Sequence, residues 1–478
     1  MTKGSTSRWI LYKHTSSLEI IRETATYLAE SGSLSKSNKK DLLIAQIGAG
    51  AYKGRNHSIP LDAATHRINT LRWIPFGYVA GSGANKRFVF GPLGNLFLEH
   101  IGEPEKLRFI LLSLLWAKQF PDEFGTAKNF RLFPFRLIFK LMLDERLDCH
   151  LTGVEYAHVV SSVEKIDENT YEDLVARILE FRALSPEVHQ QRCKVDESHH
   201  VNGWHEWTYW RTLLNSAGLV QIEEPEFDRT FPLNHGPSTI RHVDYRRSKV
   251  SKKFAEFVRS LDEEAPFFQK PIGFDEAGRL KSDVVKDTLS FLPRTLLEVL
   301  DVQPESVFSK IADLLSAVSK VSLNVAKGDP DKFEELLTET MNTFVDVRAE
   351  WVGGSGMPDV SCVFTPVPEN FLVEAKSTQK KLSALNAGRL REHRKLEGAK
   401  YTIVITPAYT PAALSDIAGS EVAILTTAAF VEHLSNAARA GGGNYSYADI
   451  REIALDGFGT DISPRVSELT AAKYGVGV

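Results

Sequence analysis

The stretch WVGGSGMPDVSCVFTPVPENFLVEAK, Trp351 to Lys376, decides how the chain is read. It places Pro358-Asp359 fifteen residues ahead of Glu374-Ala375-Lys376, with VSCVFT and FLVEAK reading as strands joined by a turn that contains Pro366 and Pro368. Strand alternation sends Glu374 and Lys376 to the same face. Two carboxylates and a lysine are thereby expected on neighbouring strands. Upstream, Lys332 to Phe344 (KFEELLTETMNTF) is an amphipathic helix with Phe333, Leu336, Leu337, Met341 and Phe344 on one face and Glu334, Glu335 and Glu339 among its acids. Downstream, YTIVIT (Tyr401 to Thr406) and VAILT (Val422 to Thr426) alternate with helical stretches, so the region is expected to be a mixed α/β core.

These residue types suit hydrolysis of a phosphodiester. Cleavage concentrates charge on the attacking water, the phosphoryl oxygens and the leaving oxygen, and a divalent cation stabilises all three. Magnesium prefers oxygen donors, and the donors on offer are Asp359, Glu374 and the Ala375 carbonyl. Lys376 is placed to orient or activate the water and to stabilise developing negative charge. Glu334 fits best as an acid contributed by the preceding helix, with Glu335 and Glu339 left open.

The order helix Glu, Pro-Asp, Glu-x-Lys is the PD-(D/E)xK nuclease pattern. GGSGMPD, Gly353 to Asp359, resembles the matching segment of FokI-like cleavage domains. That resemblance implies a restriction-endonuclease-like α/β/α domain, with Asp359, Glu374 and Lys376 catalytic. Two departures stand out: the second carboxylate is Glu where FokI has Asp, and the turn between the strands is slightly shorter. The detailed match runs from about Lys332 to Lys376.

At 478 residues the chain exceeds a single hydrophobic core, so several domains are expected. A formal net charge of −4 excludes a uniformly basic nucleic-acid coat and confines any DNA contact to local patches. The three cysteines, Cys149, Cys193 and Cys362, lie far apart without C-x-x-C spacing, which points to a reducing compartment. MTKGSTSRWILYKH lacks the apolar core of a signal peptide, and no stretch reaches the roughly 18 apolar residues of a spanning helix. A soluble cytoplasmic protein with no membrane partner is expected.

The first half reads as helix-rich. Ser17 to Glu30 and Lys39 to Ile47 have helical spacing, and His66 to Phe76 is a third helix breaking at Pro75. GYVAGSGANKRFVFGPLGNLFLEH (Gly77 to His100) then reads as a hairpin and a further helix. Three helices and a basic hairpin are the parts of a winged helix, with Lys86 and Arg87 on the wing; an ordinary surface hairpin is the competing reading. Glu105 to Gln119 is a buried helix. FRLFPFRLIFKLML (Phe130 to Leu143) reads as core, although an Arg and aromatic stripe can also grip single-stranded bases.

A second helix and hairpin follow from Trp204, with Gly218 as the helix C-cap and strands within QIEEPEFDRTFPLN and STIRHVDYRR. Arg241, Arg246, Arg247, Lys249, Lys252 and Lys253 form the densest basic cluster ahead of the Pro-Asp motif and are expected to meet DNA phosphates. His199, His200 and His205 match no zinc spacing. Arg389, Arg391, Arg394 and Lys395 lie on a helix and are left between phosphate contact, a dimer surface and solvent.

The expected organisation is therefore a DNA-recognition region over residues 1–261, made of two winged-helix-like subdomains (about 1–150 and 151–261), a linker over 262–300 and a nuclease domain over 301–478. VFGPLGNLFLEH, KQFPDE and FRLFPFRLIFKL also give the first half a loose resemblance to AlwI-type type IIS restriction endonucleases. That resemblance implies Mg2+-dependent cleavage of double-stranded DNA at an offset from a short recognised sequence. One such site cuts one strand, so a transient homodimer on DNA or a second nuclease subunit is expected. A strand-specific nicking enzyme or nicking subunit, a repair or transposition nuclease, and a DNA-binding protein with a vestigial nuclease fold are the competing readings.

Overall fold

The computed structural model describes residues 8–12, 15–31, 60–81, 86–124, 129–195, 197–225, 232–234, 240–242, 245–273, 281–302, 307–324, 331–354, 356–441 and 444–477. The helix expected over Lys39 to Ile47 lies outside them. Two compact units emerge, the first comprising Met1–Phe76, Leu96–Ile272 and Pro293–Val299, the second Gly77–Asn95, Gly273–Leu292 and Leu300–Val478. Among the described residues, no helix is long and apolar enough to cross a membrane. All three cysteines are free.

The first unit is mainly helical. Pro104–Ala117 buries nearly all of its second half, and Pro134–Leu141, started by its own proline, is buried on almost every side. Arg136 is a core residue rather than a base-gripping one: its guanidinium donates to the Trp116 carbonyl at 2.8 Å and to Gln269 Oε1 at 2.7 Å. Buried aromatics tie the helices together, with Trp210 4.9 Å from Trp73 and 4.8 Å from Phe135 between ring centroids. Helix Glu197–Ser216 ends just before Gly218, whose φ of +70° is the left-handed conformation that suits glycine at a helix end. Val220–Glu223 and Leu151–Thr152 flank Arg247–Val250 in a three-stranded antiparallel sheet, and Pro232–Asn234 pairs with Ile240–His242.

The second unit carries the Pro-Asp motif. Its elements are β1 (Gly77–Ala80), β2 (Arg87–Phe90), α1 (Lys281–Leu289), α2 (Val307–Ser322), α3 (Asp331–Met341), β3 (Val347–Trp351), β4 (Val360–Phe364) and β5 (Glu369–Ala375). They continue with α4 (Ala387–Glu397), β6 (Thr402–Thr406), α5 (Pro411–Asp416), β7 (Val422–Thr426), α6 (Thr427–Gly441), α7 (Ala448–Asp456), α8 (Ser463–Tyr474) and β8 (Val476–Gly477). The central sheet has the order β7-β6-β5-β4-β3. β3, β4 and β5 form an antiparallel meander, with Trp351 opposite Val360 and Val360 opposite Val373, and β6 and β7 extend it in parallel.

Alternation along the sheet divides its residues between two layers. Phe371, Val373, Ile403, Ile405, Ala423 and Leu425 face a large core with α2, α3, α6, α7 and α8, while Val404, Val422 and Ile424 join Leu390 and Ile417 on the other side. This is the expected α/β/α sandwich.

The hairpin β1-β2 is where the domain reading must be corrected. Lys86 and Arg87 do not sit on a wing of the first unit, because β2 also pairs with β8 (Phe88 opposite Val476, Arg87 opposite Gly477) within the second. Tyr78 donates to buried Glu432 of α6, and Lys286 of α1 lies 3.0 Å from the same carboxylate and reaches Ser467 of α8. Those partners are remote in sequence, so a reading of local patterns cannot anticipate them. Part of the stretch expected as a linker is likewise built into this unit as α1.

Candidate active site

The turn between β3 and β4 aims the first carboxylate. Gly353, Gly354 and Gly356 have φ of +57°, +95° and +84°, and a Cβ on Gly353 would lie 2.8 Å from Trp351 Nε1. The backbone N–H groups of Val352 and Gly353 both face the Asp359 carbonyl, at 3.2 and 3.4 Å, so the loop closes back on the head of β4. From there the Asp359 carboxylate accepts the Ala375 backbone N–H at 2.7 Å.

β5 supplies the rest. Glu374 is only 2% exposed, on the sheet face covered by α4, and Lys376 leaves the strand end on the same side, as alternation required. The Lys376 ammonium lies 3.1 Å from Asp359 Oδ2, 2.8 Å from Glu374 Oε1 and 3.1 Å from the Ala375 carbonyl oxygen. One cation thus touches all three oxygens that the sequence nominated as metal ligands. Among the described residues, no group of three or more His, Cys, Asp or Glu side chains is placed to hold a metal ion.

The electrostatics are those of a cation site. Burial, with Glu374 beside it, raises the Asp359 carboxyl above its ordinary value despite the Lys376 charge. Burial would lower the Lys376 ammonium, but Glu374 and Asp359 outweigh it and raise it. Glu334 of α3 is half-buried, adds to the repulsion on Asp359 and accepts the Trp351 indole N–H at 2.9 Å, whereas Glu335 and Glu339 are exposed.

Two neighbours join the site from α4: Arg389, which the sequence left between phosphate contact, a dimer surface and solvent, and His393, which the sequence reading did not name. Arg389 NH2 donates to Glu374 Oε1 at 2.8 Å, and His393 Nδ1 lies 3.7 Å from Glu374 Oε2. His393 is buried, and among the described residues neither of its ring nitrogens makes a hydrogen bond. The available signal was their i, i+4 spacing on the helix after Glu-x-Lys. The other basic residues of α4 go elsewhere: Arg394 pairs with Glu421 at 2.7 Å, Lys395 with Glu392 at 2.8 Å, and Arg391 is exposed.

The cluster nominated for DNA is scattered in its engagements. Lys249 pairs with Glu223 at 2.7 Å, Lys253 pairs with Glu105, Lys252 is exposed, and Arg246 and Arg247 are half-buried. Arg241 lies on strand Ile240–His242. In the second unit Lys86 is exposed and Arg87 half-buried. His205 stacks on Trp204 with centroids 5.6 Å apart.

A family model, the N-terminal domain of the type II restriction endonuclease HgaI, matches residues 4–265. The type II restriction enzyme HgaI of Avibacterium volantium is 34% identical over 479 residues, covering 98% of each chain. The chain belongs to the HgaI family of type II restriction endonucleases. The first half, with its loose sequence resemblance to AlwI-type enzymes, is the part that the HgaI family model matches. Solved structures of restriction endonuclease FokI, alone and bound to DNA, align over 95% and 96% of this chain and 99% and 100% of theirs. Their identities are 10% and 11%, with a TM-score of 0.28 for each. The HgaI relationship spans both units, so the Pro-Asp and Glu-x-Lys strands lie in the region shared with a restriction enzyme.

Proposed function

We propose that this member of the HgaI family acts as a type IIS enzyme, reading a short DNA sequence with its first half and hydrolysing the backbone at a displaced position with the second unit. The observation that carries the cutting role is the convergence of Asp359, Glu374 and the Ala375 carbonyl on Lys376 Nζ, at 3.1, 2.8 and 3.1 Å. The ammonium stands where a hard divalent cation would be held, and three oxygens of this kind suit Mg2+. Mg2+ in their grasp would supply electrophilic stabilisation of the charge that builds on the phosphate.

The chain's own groups do the rest. Ala375 N–H fixes the Asp359 carboxylate, and burial of Glu374 fixes the second carboxylate on the neighbouring strand. Lys376, at the edge of the same oxygens, would orient the attacking water and neutralise charge on the phosphoryl oxygens. Glu334 is the helix acid: it steadies Trp351 at the rim and places a third carboxylate near Asp359.

Arg241, Arg246, Arg247, Lys252 and, on the second unit, Lys86 and Arg87 are assigned to DNA phosphates. Lys249 and Lys253 join them by exchanging surface carboxylates for phosphates, at little cost because such exposed pairs are weak. Cutting both strands requires two such sites, from a transient homodimer on DNA or a second subunit.

Asp359→Ala tests the site. Plasmid cleavage in Mg2+ is expected to fall by about 10²–10⁴-fold, while a gel shift with target DNA is retained. Unimpaired cleavage by the variant would remove Asp359 from the mechanism. Open circles without linear product from the unmodified enzyme would replace double-strand cutting by nicking.

A further inference from the structure

Glu374 is almost wholly buried, and a buried carboxylate requires compensation. Its Oε1 receives two cations at once, Lys376 Nζ and Arg389 NH2, each at 2.8 Å. The two differ in what they have left to offer. Lys376 is 25% exposed and is turned in among Asp359, Glu374 and the Ala375 carbonyl. The Arg389 side chain is 51% exposed, and its contact with Glu374 occupies one nitrogen of the guanidinium. Among the described residues its other N–H groups make no hydrogen bond.

A guanidinium anchored by one edge and open along another is a preformed receptor for a phosphate, because its planar fork matches two phosphate oxygens. Asp359, Glu374 and Glu334 place three carboxylates beside Lys376 and Arg389, and a divalent cation held by Asp359 and Glu374 would leave the Arg389 charge open to a phosphate. The tether also has a definite origin in the fold: Asn386 caps α4 by accepting the Arg389 backbone N–H at 3.0 Å, which fixes the first turn of the helix over Glu374.

We propose that Arg389 is a phosphate-contacting residue of the cleavage site, held by Glu374 through one edge of its guanidinium and gripping the DNA backbone with the other. Lys376 acts on the water and the reacting phosphoryl oxygens, and Arg389 clamps the same strand from the α4 side. The inference rests on the nuclease reading above.

The test uses the full-length chain with Arg389→Ala, Arg389→Lys and Asp359→Ala, each checked for an unchanged melting curve. Plasmid cleavage is followed to separate kcat from KM, and Mn2+ binding is followed by the paramagnetic signal of the free ion. Arg389→Ala is expected to lower kcat by about 10²–10³-fold at saturating Mn2+, with Arg389→Lys recovering part of the loss. Manganese binding by Arg389→Ala is expected to stay near that of the unmodified chain. A rate equal to the unmodified enzyme's overturns the proposal, as does a loss that saturating Mn2+ restores, since Arg389 would then only position Glu374. If Asp359→Ala cuts normally, the nuclease reading fails first; if Asp359→Ala is inactive while Arg389→Ala cuts normally, the role of Arg389 fails alone.

Discussion

Asp359 and Glu374 carry charge that water would normally solvate, and each is made tolerable by a neighbour: the Ala375 N–H for one, Arg389 for the other, with Lys376 touching both. The meeting of Asp359, Glu374 and Lys376 was legible in the chain because it depends only on local rules, a glycine-rich turn and a period of two along a strand. Arg389 was not, because its partner is set by the way α4 lies on the sheet. Of the three candidate helix acids, Glu334 is half-buried and accepts the Trp351 indole N–H, whereas Glu335 and Glu339 are exposed. A buried residue away from the site offers a pH test. Burial, helped by Lys473, lowers His433 to about 4 against an unfolded value of roughly 6.5. The unfolded chain therefore takes up the proton first, so this contribution to stability is complete above about pH 6.5 and declines as the pH falls towards 4. Each unit of that window is worth about 1.4 kcal/mol. Urea unfolding at pH 7 and pH 5 is expected to show roughly 2 kcal/mol more acid loss for the unmodified chain than for His433→Gln. Equal losses would mean that His433 is not held neutral against Thr470, its 2.9 Å partner.

Elements were easier to read than their partners. α3, β4, β5, β6 and β7 fall where the periodicities put them, since each is a run whose apolar residues alone select helix or strand. The hairpin β1-β2 was read correctly as a hairpin and assigned to the wrong body, because nothing in Gly77 to Phe90 reports that Arg87 and Phe88 will pair with Gly477 and Val476. Its attachment makes a testable claim. The Glu432 side chain is 8% exposed and takes Tyr78 from the hairpin and Lys286 from α1 as partners, so removing the Lys286 cation strands a charge in the interior. Lys286→Met is expected to cost about 3–5 kcal/mol in urea unfolding, and adding Glu432→Gln to recover much of it. A single variant as stable as the unmodified chain would show that the hairpin and α1 are not fastened to α6 in this way.

At the scale of the molecule, the HgaI relationship covers 98% of the chain, and the site built on β4 and β5 is the part whose chemistry follows from residues and distances. The bases that the proposed function has the first half read are not written in the sequence, because recognition depends on side chains presented together by a tertiary surface, and composition reports only that the chain is not uniformly basic. Reading and cutting in separate parts of one chain have a signature that neither has alone: a fixed distance between the bases that specify and the bonds that break. The measurement that tests this most directly is run-off sequencing of plasmid DNA cleaved by the full-length enzyme in Mg2+, with Asp359→Ala as the control. The account predicts breaks at a constant offset from one short motif on both strands and none with the variant. Breaks without a shared motif, breaks that follow branched DNA structure, or unchanged cutting by Asp359→Ala would contradict it.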